Sequence, residues 1–103
     1  MKINVDENVI HGTIEIGNEK FEYKAYPPTI DISLMFIEAA EEEDTKVGVR
    51  ALGKYYDECI EFTGFGAKRI KEKVRKALER SGKFVEFVNE VVGEVGKRKE
   101  PKG

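Results

Sequence analysis

The sequence predicts an α+β fold, in which an N-terminal β-hairpin, with room for a third strand, precedes about four α-helices. Three observations carry this. Apolar residues alternate with period two up to Tyr26, the pair Pro27-Pro28 then interrupts the chain, and apolar residues beyond it recur at three- and four-residue spacing. At 103 residues one modest core is the expectation, with residues 1–96 as a single domain and 97–103 as a disordered basic tail.

The hairpin spans residues 12–26. In GTIEIGNEKFEYKAY, Ile14 and Ile16 alternate with Thr13 and Glu15, and Phe21, Tyr23 and Ala25 alternate with Lys20, Glu22 and Lys24. That is the pattern of strands with one buried face. Gly17-Asn18 between the runs supplies residue types that tolerate positive φ, as a tight turn requires. The segment KINV, residues 2–5, offers a third, edge strand.

Proline donates no hydrogen bond to a ladder, so Pro27-Pro28 ends the β region. The first helix, about 30–43, has Thr29 or Asp31 as its cap and Ile30, Leu34, Ile37 and Phe36 toward one side. Its acidic end, Glu41 to Asp44, opposes the macrodipole and predicts fraying and a break near Asp44 or Thr45.

A second helix is predicted over 46–63, with Val49, Leu52, Tyr56, Cys59 or Ile60, and Thr63 along a stripe. Gly64 suits its C′ position. The third helix, 67–80, has a narrow seam of Ile70, Val74, Ala77 and Leu78. Ser81 is placed to cap the fourth, 82–95, where Phe84, Phe87, Val88, Val91, Val92 and Val95 form the clearest helical pattern in the chain. Valine is a mediocre helix former, so packing on the domain or a partner must hold that helix.

Composition narrows the function classes. Charged residues are 37% of the chain, yet both signs are mixed, the formal net charge is −2 and the pI is near 5.6. This argues against a protein built mainly to neutralise phosphates. A lone Cys59 forms no intrachain disulfide and no thiolate cluster. No segment approaches the roughly 20 apolar residues of a spanning helix, and a soluble, cytoplasmic protein is expected.

The stretch FTGFGAKRIKEKVRK, residues 62–76, invites a chemical reading. As a dinucleotide fingerprint it lacks a third glycine, where Arg69 stands, and as a P-loop it lacks the GK[ST] ending. As an RNA-stacking strand it lacks the later aromatics. A helix-to-helix corner fits better: Gly64 ends one helix, Gly66 clears space, and Phe65 anchors the turn, its ring first expected between helices and otherwise presented to a partner. The cations Lys68, Arg69, Lys71, Lys73, Arg75 and Lys76 read as a solvated face or a charge match to Glu41–Asp44, with phosphate binding by helix 67–80 as the alternative.

Catalysis finds no convergent set. His11, the single histidine, lies in a polar stretch and is expected to be exposed, and Cys59 falls on a helical stripe as a small buried residue. No catalytic residue, cofactor or metal is expected.

The order of GNEKFEY, an acidic helix, the corner GFGAKRI and a last helix FVEFVNEVV resembles the small tail assembly chaperones of phages and prophages of Gram-positive bacteria. The resemblance implies a non-enzymatic protein that self-associates, binds the tape-measure protein and recruits tail-tube protein in the host cytoplasm. Partner contacts are then expected from Phe65, Ile70 and Phe84 and from Val88, Val91, Val92 and Val95. The other classes open at this level are a small nucleic-acid-binding regulator and a protein-interaction adaptor.

Overall fold

The computed structural model describes residues 2–3 and 8–99. It is an α+β fold with the element order β1 (Ile10–Ile16), β2 (Glu19–Ala25), α1 (Ile30–Glu42), α2 (Thr45–Cys59), β3 (Ile60–Phe62), α3 (Ala67–Arg80) and α4 (Phe84–Lys99). The three strands form an antiparallel sheet in the order β1-β2-β3, so β2 is central.

The hairpin pairs Ile16 with Glu19 and Ile10 with Ala25 around a two-residue turn. Gly17 has φ of +63° and Asn18 does not share it, the pattern of a type II′ turn with glycine at its first central position. Alternation works as expected: Tyr23 and Ala25 are buried, Ile14, Ile16 and Phe21 are half-buried against the helices, and His11, Thr13, Glu15 and Glu22 face outward.

The third strand comes from an unexpected place. Instead of continuing the second helix to residue 63, the chain leaves it at Cys59, and Ile60-Glu61-Phe62 pairs with the free edge of β2. Helical spacing through Cys59, Ile60 and Thr63 hid this. The same residues also read as a short β-branched and aromatic strand with alternating polarity, and the open edge of β2 selects that reading. The edge strand expected at residues 2–5 is not seen at Lys2 and Ile3, and its remainder lies outside the described residues.

Helix ends follow from their caps. Thr29 caps α1 by accepting from the Ile32 N–H at 3.4 Å, and Asp44 caps α2 by accepting from the Lys46 N–H at 2.9 Å. Between them Glu43 adopts the left-handed conformation, φ 52° and ψ 36°, so the predicted break falls where the acidic cluster ends. Ser81 does not cap α4. It closes α3, where Gly82 donates to Glu79 and Lys83 to Leu78, the paired bonds of a Schellman motif around Gly82 at φ +72°. The fourth helix starts at Phe84 and runs past Gly96 to Lys99, so the basic segment begins inside a helix, and residues 100–103 lie outside the described residues.

Sheet and helices enclose one core. Tyr55 and Tyr56 of α2 are fully buried at its centre, with Val74, Val88 and Val95 equally enclosed. Full burial of each such aliphatic side chain contributes about 1.5–3 kcal/mol, which offsets the weak helix propensity of the α4 valines. Both tyrosines satisfy their hydroxyls: Tyr55 donates to the Tyr26 carbonyl at 2.7 Å and Tyr56 to the Lys71 carbonyl at 2.6 Å. Those bonds tie α2 to the end of β2 and to α3. By contrast α1 packs chiefly on α2 alone, which leaves much of its surface open.

Candidate functional site

The residues first expected to meet a partner are mostly in the core. Val88, Val91 and Val95 are 0–3% exposed, Phe84 is 8% exposed, and Ile70 and Val92 are half-buried against the same cluster. The valine face of α4 is therefore the inner lining of the domain. Its regular spacing signalled burial, and the partner it needed was the chain's own sheet and α2.

Phe65 is the opposite correction. Its ring is fully exposed, in a turn between β3 and α3 rather than a helix-to-helix corner. Gly64 at φ +102° and Gly66 at φ +76° supply the backbone shape, and Gly66 is the N-cap of α3 without any side-chain cap bond. Gly64 is not a C′ residue, because α2 has already ended.

Several cations of the basic helix are paired within the chain at its surface. Arg75 bonds Asp57 at 2.6 Å and Glu79 at 2.9 Å, and its guanidinium lies 5.1 Å from the Phe84 ring. Lys73 pairs with Glu19 at 2.6 Å and sits over Phe21, while Lys71 donates to the Asp57 carbonyl. Burial lowers the Lys71 ammonium from the ordinary lysine value, with Asp57 and Glu61 opposing that. These bonds tie α3 to α2 and the hairpin. The acids that answer α3 are Glu19, Asp57 and Glu79, not Glu41 to Asp44.

Chemical groups are dispersed. Cys59 is 2% exposed, and burial pushes its thiol above the ordinary range, toward an unreactive protonated form. His11 is exposed on the outer face of β1. Among the described residues no group of three or more histidine, cysteine, aspartate or glutamate side chains is placed to hold a metal, and no helix is long and apolar enough to cross a membrane.

What remains unaccounted for is the outer face of α1. Ile30, Leu34 and Ile37 are 80%, 57% and 53% exposed, and their i, i+4, i+7 spacing puts them in one stripe along the helix. The inner face is a different set: Ile32 is fully buried, and Phe36 and Ala39 are partly covered. So α1 is apolar on two sides, and the set expected on one side is divided: Phe36 turns inward, while Ile30, Leu34 and Ile37 face outward. Ser33 and Ala40 flank it on one side, and Asp31, Glu38 and Glu42 on the other, all three acids exposed. Beside the same helix, Phe36, Gly48, Val49, Leu52, Val85 and Asn89 line a shallow groove whose rim valines, Val49 and Val85, are 45% and 40% exposed.

An outward apolar stripe on a helix is costly to keep in water unless something covers it, and stripes of this spacing dock helices. The sequence signal for it is the spacing that groups Ile30, Leu34 and Ile37, with Phe36, toward one side. Only their orientation was unknown. No family model, curated protein or solved structure matches the chain.

Proposed function

We propose that the chain is a non-enzymatic assembly chaperone of the phage-tail type, which holds helices of the tape-measure protein and assists tail-tube assembly in the host cytoplasm. The observation that carries this reading is the exposed stripe Ile30, Leu34 and Ile37 on α1. A chaperone for long amphipathic helices needs an open apolar ridge on a domain that folds without it, and α1 supplies one on a core closed by other residues. The order of sequence motifs supports the same class. Weak contacts of this size become effective when several copies act along one extended client, where avidity replaces single-site affinity.

The test is co-expression with a phage tape-measure protein, followed by affinity capture of this chain. The expected result is a soluble complex that is retained with the native protein and lost with Leu34→Asp or Ile37→Asp. Failure of the native protein to keep the client soluble overturns the assignment.

A further inference from the structure

Resting on the reading of α1 as the client face, we infer that its occupant is a cationic amphipathic helix, with an apolar seam flanked by lysine or arginine on one side. The argument is charge complementarity on an apolar surface. Every ionisable side chain of α1 is a carboxylate: Asp31, Glu38, Glu41 and Glu42. Glu43 and Asp44 follow, and no basic residue occurs between Lys24 and Lys46. Some carboxylates elsewhere are answered, as Glu19, Asp57 and Glu79 are by Lys73 and Arg75, while others, such as Glu22, Glu72 and Glu86, are dispersed over the surface without an ion pair among the described residues. Among the described residues none of the α1 carboxylates has an ion-pair partner.

The layout of the face adds direction to the charge. Asp31, Glu38 and Glu42 follow at i, i+7, i+11 along one flank of the stripe, whereas the other flank carries Ser33 and Ala40 at i, i+7. A docked helix can approach closely over the small residues and meets flanking carboxylates on the other side, with Glu41 closing the C-terminal end of the stripe, so its own cations belong on that acidic flank and at that end. The same field argues against other occupants. Two copies meeting through α1 would set like charges against one another, and an anionic membrane or a nucleic acid would be repelled from this face.

The test uses the full chain and three labelled synthetic helical peptides that share one leucine seam and carry lysine, glutamine or glutamate at the flanking positions. Binding is followed by fluorescence anisotropy. The lysine peptide is expected to bind about tenfold tighter than the glutamate peptide, a preference of the size that a few exposed ion pairs supply, and to weaken with salt. The combined substitutions Asp31→Lys, Glu38→Lys and Glu42→Lys should reverse the order of preference. The corresponding glutamine substitutions should level it, which covers the case in which the lysine variant folds poorly. Leu34→Asp should abolish binding of every peptide.

Equal affinity for the three peptides, with Leu34 still required, overturns the cationic preference while leaving α1 as the client face. A preference that survives the charge reversal also overturns it, because the selecting charges would then lie elsewhere. If no peptide binds and Leu34→Asp leaves capture of the tape-measure protein unchanged, the reading of α1 falls with it. Self-association in sedimentation that Leu34→Asp removes assigns the stripe to a second copy and overturns the proposal.

Discussion

Tyr23 lies with its phenol ring across Gly12, its register partner on β1, at a position where any Cβ would run into the ring. A methyl group on Gly12 would stand inside the van der Waals envelopes of Cζ and Oη and 2.9 Å from Cε2. The ring has little room to yield. It packs edge-on against Phe62 at 6.0 Å between centroids and against Phe87 at 5.5 Å, which joins all three strands to α4.

Gly12→Ala is therefore expected to destabilise the fold by about 1–3 kcal/mol, the usual cost of overpacking. Urea denaturation measures it. Because the clash is with one ring, the same substitution in a Tyr23→Leu background should cost less than about 0.5 kcal/mol, a coupling expected only of residues in contact. An equal cost in both backgrounds would place the strain in the strand itself.

Phe65→Ala should change stability by no more than about 0.5 kcal/mol, as for a surface substitution that breaks no contact. A buried ring at this corner would instead cost about 3–5 kcal/mol. Thermal denaturation separates the two, and the full exposure of Phe65 selects the first.

Glu43 is the one described non-glycine residue with positive φ, at 52°. Glycine at such a C-cap carries no Cβ penalty, and the change also removes a negative charge from the end of α1. Glu43→Gly should stabilise the domain by about 0.5–1 kcal/mol. Glu43→Ala keeps the Cβ and should recover only the charge contribution. An equal gain from both in denaturant midpoints would show that backbone strain contributes nothing.

Stability should fall at alkaline pH. Burial raises the phenols of Tyr55, Tyr56 and Tyr23 above the ordinary 10.0 and the Cys59 thiol above 9.0. In each case the unfolded chain releases its proton first. The contribution is thus complete below the ordinary value and lost as pH rises beyond it, by about 1.4 kcal/mol per pH unit for each group ionised only in the unfolded state. Lys71, lowered from 10.5 by burial, works in the opposite sense and recovers a part. Denaturation followed from pH 8 to pH 11 should show the loss begin near 9 and steepen past 10, and Tyr55→Phe should flatten the upper limb. A flat profile would mean that the phenols ionise as readily folded as unfolded.

Local signals were enough for most of the fold. Alternation placed Ile14, Ile16, Phe21, Tyr23 and Ala25 on one face of a hairpin, Gly17 marked its turn, and Thr29 and Gly82 mark helix ends through backbone needs that belong to a few adjacent residues. Ile60 to Phe62 satisfied two periodicities at once, and the free edge of β2, more than thirty residues away in sequence, decided between them.

The candidate site turned on a similar choice. Periodicity finds apolar faces but does not say what covers them. The valines of α4 met the sheet and α2, while α1 offered two apolar faces to a single neighbouring helix. Sequence by itself determined that Ile30, Leu34 and Ile37 share a stripe, that the ionisable residues of α1 are all acidic and that Phe65 sits between two glycines. Only the tertiary structure decided that Ile32 goes in and Leu34 stays out, because α2 has room to bury one side of α1 and not the other.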